Sequence, residues 1–167
     1  DTFRKKPYLL NLFFIGYLFG IGFFLTGINW ISHSLTFDEK FKLLIPLVII
    51  GLPIFLGLFF GFANLIVGPF LQNNFTSILL FSSSYAFADY FRANILSGFP
   101  WNLWAYTWSW KPEILQPLFH LGFFSFNLLC IIIYCSPLLL FFKKKFNYIL
   151  LFLISLVFFG NYIYGSS

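Results

Sequence analysis

LLIPLVIIGLPIFLGLFFGFANLIV, residues 43–67, runs for 25 residues without a charged side chain. A helix needs about 20 apolar residues to cross roughly 30 Å of hydrocarbon, and this run exceeds that. Its apolar residues are continuous rather than alternating, so they do not build the strands of a membrane barrel. Four further stretches of the same character flank it, at 9–31, 76–91, 114–142 and 146–164. The expected fold is all-α, a polytopic membrane helix bundle of about five transmembrane helices, with 1–167 forming a single transmembrane domain. Composition agrees: 60% of residues are hydrophobic, 25% aromatic and 9% charged, where an ordinary globular domain carries about 25% charge. That balance excludes a disordered chain, a nucleic-acid binder and a disulfide-stapled secreted module. The net charge of +5 is scattered between apolar blocks and makes no basic patch.

Lysine and arginine instead orient the helices. Arg4, Lys5 and Lys6 precede the first stretch, and Lys143, Lys144 and Lys145 separate the fourth from the fifth. Five helices bring those six cations to one side and leave Lys40, Lys42, Arg92 and Lys111 on the other, offset by Asp38, Glu39 and Glu113. The positive-inside rule then places the N-terminus in the cytoplasm and the C-terminus outside. The third stretch is short and carries Ser82, Ser83 and Ser84, which suits a helix packed within the bundle. The fourth is long enough to tilt, or to begin with an interfacial piece before Pro117. The chain opens at Asp1 and contains no Met, so it reads as a piece of something longer. No small-residue cleavage site follows the first apolar run, which argues against a secretory signal.

The tryptophans reinforce a two-sided design. Trp30, Trp101, Trp104, Trp108 and Trp110 all fall at the expected outer face, where an apolar ring with one N–H donor is at home. Trp30, Trp104, Trp108 and Trp110 read as interfacial aromatics, and their crowding also suits a shallow lipid-facing platform. Gly16 and Gly20 are four apart, as are Gly57 and Gly61, with Gly68 seven further on. Small residues at that spacing let helix backbones approach closely. Pro46 and Pro53 should kink the second helix or mark its early turns.

Catalytic kits are absent from the sequence. Cys130 and Cys135 lie five apart in one apolar stretch and face different ways, so neither a disulfide nor a redox pair is expected. His33 and His120 have no carboxylate or thiol at metal-ligand spacing, and no metal site or cofactor is read. No catalytic residue is assigned in this chain. One constellation stands out. Asp89 and Arg92, three apart, share a helix face, and ionisable groups near membrane depth pair or face a polar cavity. They read as a structural ion pair; a sharper reading has Arg92 meeting an anionic lipid phosphate. Directly after them come Ser97, Gly98, Phe99, Pro100, Trp101 and Asn102, a rigid turn set among aromatics.

Asp89-x-x-Arg92, then Ser97-Gly98-Phe99-Pro100-Trp101, then Ala105-Tyr106 resembles the membrane domain of apolipoprotein N-acyltransferases, whose pattern is Glu-x-x-Arg, Thr-Gly-Phe-Pro-Trp and Gly-Tyr. The first helix adds Phe19-Gly20-Ile21-Gly22-Phe23-Phe24 and Thr26-Gly27-Ile28-Asn29-Trp30-Ile31, similar to that family's glycine-rich helix and its Gly-x-x-Trp ending. The likeness extends from Gly16 to Phe142, with Asp89 for Glu and Ala105 for Gly as departures. It implies an enzyme of the bacterial inner membrane that moves an acyl chain from a phospholipid to the N-terminal Cys amine of a diacylglyceryl lipoprotein. It also implies that the catalytic Glu, Lys and Cys belong to a nitrilase-like extracytoplasmic domain absent from this chain. Five helices ending outside would match the third to seventh of that family. Arg92, Gly98, Phe99, Pro100 and Trp101 then become the lipid and substrate access loop. The expected partners are the phospholipid donor, the lipoprotein acceptor, membrane lipid and the nitrilase-like domain, with no nucleic acid. A non-catalytic five-helix subunit of a transporter is the alternative, with Asn64, Asn127 and the Ser82–Ser84 run as its only midplane polar groups. A purely structural scaffold also stays open.

Overall fold

The structure is a computed structural model that describes residues 6–95, 98–142 and 145–166. Arg4, Lys5, Ser97, Lys143 and Lys144, used above for topology and for the family likeness, lie outside the described residues. Five long helices carry the architecture: α1 (Lys6–Gly27), α2 (Leu52–Val67), α3 (Phe75–Asn94), α4 (Phe123–Cys135) and α5 (Lys145–Ser166). No strand occurs among the described residues. The protein is an all-α membrane helix bundle. Among the described residues four segments are long and apolar enough to cross a membrane: Tyr8–Gly27, Leu47–Phe70, Phe123–Leu140 and Lys145–Ser166. Apolar side chains dominate their exposed surfaces, with Phe14, Leu18, Ile66, Phe152, Val157 and Ile163 exposed. Exposure on that scale is untenable in water and ordinary in lipid, where the helix satisfies its own backbone.

The chain packs as two compact units, Asp1–Pro69 with Phe87–Asn102, and Phe70–Ala86 with Leu103–Ser167. The first is built on α1 against α2. Gly20 meets Gly57 so closely that a Cβ on Gly20 would stand 2.8 Å from the Gly57 Cα, and one on Gly16 would stand 2.6 Å from the Asn64 Cβ. The glycines therefore bring two backbones together, and Phe24, Leu56 and Phe60 fill the space beside them, fully buried. Lipid tails are as apolar as these side chains, so close packing replaces the hydrophobic effect as the force joining the helices. Asn64 adds a polar tie, its Nδ2 donating to the Leu12 carbonyl at 3.0 Å.

Proline shapes the entry to α2. Pro53 has no N–H and its ring would strike the carbonyl four residues back in a regular helix. The chain answers with a π turn over Leu47–Gly51, a widened turn that makes room for the ring. Pro46 sits just before it in helical conformation.

α3 is 20 residues long, about 30 Å at 1.5 Å per residue, but it is not among the four strongly apolar segments. Its buried face is mixed, with Ser77, Ser82, Asp89 and Arg92 enclosed beside Ile78, Tyr85 and Ala88, while Leu79, Leu80, Phe87 and Phe91 are exposed. Charged groups enclosed and aromatic or leucine side chains exposed are the arrangement lipid favours. Its start is capped by Asn74, whose Oδ1 accepts from the Ser77 N–H at 2.9 Å.

In the second unit the long stretch 114–142 is built in pieces. A 3₁₀ turn at Pro112–Leu115 and a single helical turn at Leu118–Leu121 precede a break at Gly122, with φ +76°. α4 then runs to Cys135, and Pro137 begins the tighter 3₁₀ turn Ser136–Leu140. A core of Ala105, Ile114, Phe126 and Cys130 is flanked by Trp104, Trp108 and Phe158. Asn161 of α5 donates to the Ile114 carbonyl at 2.9 Å. Asn127, fully buried, accepts from the Ala105 N–H at 3.1 Å.

Candidate functional site

The last turn of α3 and the loop after it form one clasp. Gly98 adopts φ +71°, and a Cβ there would stand 2.7 Å from the Ala93 carbonyl oxygen, so glycine is required on both counts. The turn folds the chain back over the helix end. The Gly98 N–H donates to the Ile95 carbonyl at 2.9 Å and the Phe99 N–H to the Arg92 carbonyl at 3.2 Å. The Arg92 side chain then closes the loop from within. Its Nη1 donates to the Phe99 carbonyl at 2.6 Å and to the Trp101 carbonyl at 2.8 Å, and its Nη2 to Asp89 Oδ1 at 2.9 Å. Arg92 is 1% exposed and Asp89 0%.

Such a site is stable because its two buried charges meet each other. An isolated buried charge is expensive, and a pair is tolerated only with good geometry and further hydrogen bonds. Here the guanidinium fork serves three acceptors, and its Cζ lies over the Phe24 ring, 4.9 Å from the centroid. A lysine could not supply the fork. Arg92 also stands in the last turn of α3, where the helix dipole favours a cation.

α1 holds the other side of the loop. Asn102, at φ +56°, donates from Nδ2 to the Phe23 carbonyl at 3.1 Å, and its amide lies against Gly27 where any Cβ would collide. Trp101 meets Trp30 edge to face, with centroids 5.8 Å apart. Two segments far apart in sequence, one around Phe19–Ile31 and one around Asp89–Asn102, thus become one structure. Sequence reading took Asn102 only as part of the turn and Phe23 and Phe24 only as part of the glycine-rich helix; the contacts that join them were not read, and an Asn directly after Gly-Phe-Pro-Trp, a residue tolerant of left-handed backbone, was the available signal.

The sequence-selected residues divide. Arg92 backs the loop from inside, and its Nη atoms are engaged by carbonyls and by Asp89. Phe99 is half-buried, and Pro100 and Trp101 are exposed. Trp30 and Trp110 are exposed too, the latter with the Lys111 Nζ over its ring at 5.6 Å. Trp104 and Trp108 do structural work instead. Trp108 stacks on Tyr134 at 6.1 Å and packs against Phe158 at 5.1 Å, while the Thr107 hydroxyl pairs with that of Tyr134. Cys130 is buried and Cys135 half-buried, both free thiols. Among the described residues no three His, Cys, Asp or Glu side chains gather as a metal site. The clasp is a mount: the Arg92 Nη atoms are held by the Asp89 carboxylate and by main-chain carbonyls.

These features define an α-helical membrane protein that fixes an aromatic loop on a buried arginine. The profile of the apolipoprotein N-acyltransferase N-terminal domain matches residues 4–136, which include both halves of the clasp. The chain belongs to that family. It is 35% identical over 127 residues to the apolipoprotein N-acyltransferase of Brucella melitensis, covering 75% of this chain and 24% of that protein. It is 37% identical over 130 residues to that of Rickettsia prowazekii, covering 77% and 26%. Against that of Agrobacterium fabrum the identity is 32% over 137 residues, covering 81% and 26%. The chain thus spans about a quarter of the length of the curated relatives it matches. No solved structure matches it.

Proposed function

We propose that this chain is the membrane portion of an apolipoprotein N-acyltransferase, which transfers an acyl chain from a phospholipid to the N-terminal Cys amine of a diacylglyceryl lipoprotein. Asp1–Ser167 acts as one transmembrane domain of the inner membrane, with its N-terminus cytoplasmic and its C-terminus periplasmic. It anchors a nitrilase-like catalytic domain of the same protein, where the acyl group is carried as a thioester on a cysteine. Gly98, Phe99, Pro100 and Trp101 form the access surface for lipid and lipoprotein, and Asp89 with Arg92 holds them in place. The observation that carries this reading is the coincidence of the family's Gly-Phe-Pro-Trp block with the clasp: Arg92 binds both the Phe99 and Trp101 carbonyls. The transporter-subunit alternative loses two of its midplane candidates, because Asn64 and Asn127 both hydrogen-bond to backbone groups.

The test is complementation of a strain depleted of its own N-acyltransferase by the full-length gene, read by mass spectrometry of lipoprotein N-terminal peptides. The wild type should yield N-acylated, triacylated peptides. Arg92→Ala and Trp101→Ala should leave mainly diacylated ones at comparable membrane abundance. Unchanged triacylation in both variants would remove the loop from the reaction.

A further inference from the structure

At the end of α3 away from the clasp lies a groove of about 250 Å³, walled by Leu71, Ile78 and Phe81 around the helix start and by Leu138 and Phe142 beyond α4. Ile78 is buried, while Leu138, 49% exposed, leaves one side open to lipid. The Ser77 Oγ, also in the wall, is already engaged, accepting from the Gln72 N–H at 2.7 Å. The volume is roughly eight times the ~30 Å³ share of one water molecule, room for a run of methylenes. A turn of helix, about 10 Å across and 5.4 Å long, occupies more than that; an extended acyl chain does not. Charge selects what the chain hangs from. Segments 70–81 and 135–145 contain three lysines and no Asp or Glu. Lys145, the last of them, is exposed and opens α5. The first turn of α5 is tied to the stretch that carries Leu138, since the Asn147 Nδ2 donates to the Leu139 carbonyl at 3.5 Å. Lys145 is three residues from Phe142, so their Cα atoms lie within about 10 Å, a gap that a lysine stem lying along apolar surface helps to span. The groove also sits at the N-terminal end of α3, where the helix dipole favours an anion.

We propose that this groove holds one acyl chain of an anionic phospholipid, with the lipid phosphate against Lys145. In the orientation proposed above this end of α3 is cytoplasmic, so the lipid belongs to the cytoplasmic leaflet and is a resident of the fold, distinct from the acyl donor consumed on the opposite side. The leaflet rests on that reading; the groove and its lysine do not.

The experiment is photocrosslinking of the full-length protein in detergent with phosphatidylglycerol carrying a diazirine in one acyl chain, set against phosphatidylcholine with the same chains. Adducts are mapped by peptide mass spectrometry and scored as groove peptides, 71–81 and 135–142, over the exposed face of α5 at Phe152 and Val157. That ratio should be about fivefold higher for phosphatidylglycerol, the weight of one lysine beside an anionic headgroup. Lys145→Gln should bring the two lipids level. Leu71→Trp and Leu138→Trp, each filling the groove, should remove the enrichment while the thermal midpoint stays within a few degrees of the wild type; either folded variant suffices. Groove peptides labelled no more than the α5 face overturn the site, and equal labelling by the two lipids overturns the headgroup pairing. Enrichment that persists in a folded, filled variant overturns the location. Because labelling is read without turnover, an unlabelled groove in a protein that still N-acylates sinks this inference alone. Intact labelling in a protein that cannot N-acylate sinks the functional reading alone.

Discussion

Removing the guanidinium of Arg92 would strand the Asp89 carboxylate and the Phe99 and Trp101 carbonyls at once. Breaking a buried pair by deleting one partner costs about 3–5 kcal/mol, because the remaining charge is left uncompensated. Arg92→Ala should therefore lose that much in a reversible detergent unfolding titration. The double variant Asp89→Leu/Arg92→Met should lose clearly less, since it removes both charges and keeps the volume. A double variant as unstable as Arg92→Ala would mean that the carbonyl contacts, not the ion pair, dominate. The pair itself was legible in the sequence, because a spacing of three on a helix leaves few other arrangements. Its inward direction was not. Arg92 owes its surroundings to Phe24, some seventy residues earlier, and to main-chain carbonyls that no side-chain pattern encodes. The same limit hid Trp104 and Trp108, whose packing partners Tyr134 and Phe158 come from elements that composition cannot bring together.

Helix α1 carries its own control. Gly20 and Gly22 are two residues apart, yet a Cβ on Gly20 would meet the Gly57 backbone at 2.8 Å while one on Gly22 would meet nothing within 4 Å. Gly20→Ala should force α1 and α2 apart and lower the unfolding free energy by about 1–3 kcal/mol, the usual cost of overpacking. Gly22→Ala should be neutral or stabilising by up to about 1 kcal/mol through helix propensity. Equal effects would mean that the two glycines serve the helix and not the interface. Spacing picked out the right pairs here, because four residues return a helix to the same face. Apolar length was equally readable, whereas the divisions within a long run were not. The break at Gly122 sits in a stretch as apolar as its neighbours, and a glycine there reads the same inside a helix as at its end. Pro53 announced a disturbance in α2, but the π turn that absorbs it at Leu47–Gly51 is one of several responses a helix can make.

At the level of the whole molecule, hydropathy decided the class of fold, and charge decided the orientation we propose for it. In a Cys130→Ala/Cys135→Ala background, Phe37→Cys should react with a membrane-impermeant maleimide in intact spheroplasts. Phe146→Cys should react only after permeabilisation. The reverse pattern would invert the bundle and place the Trp101 loop at the cytoplasmic face, against the orientation we propose. The loop's attachment has a consequence for how such a protein can diversify. Arg92 reaches Phe99 and Trp101 through their carbonyl oxygens, which every amino acid possesses. The anchor is therefore indifferent to the side chains it carries, and the aromatic tip can be exchanged like a tool on a fixed handle. Lineages with different lipids could then retune what the loop touches while leaving untouched the buried pair that keeps it in place.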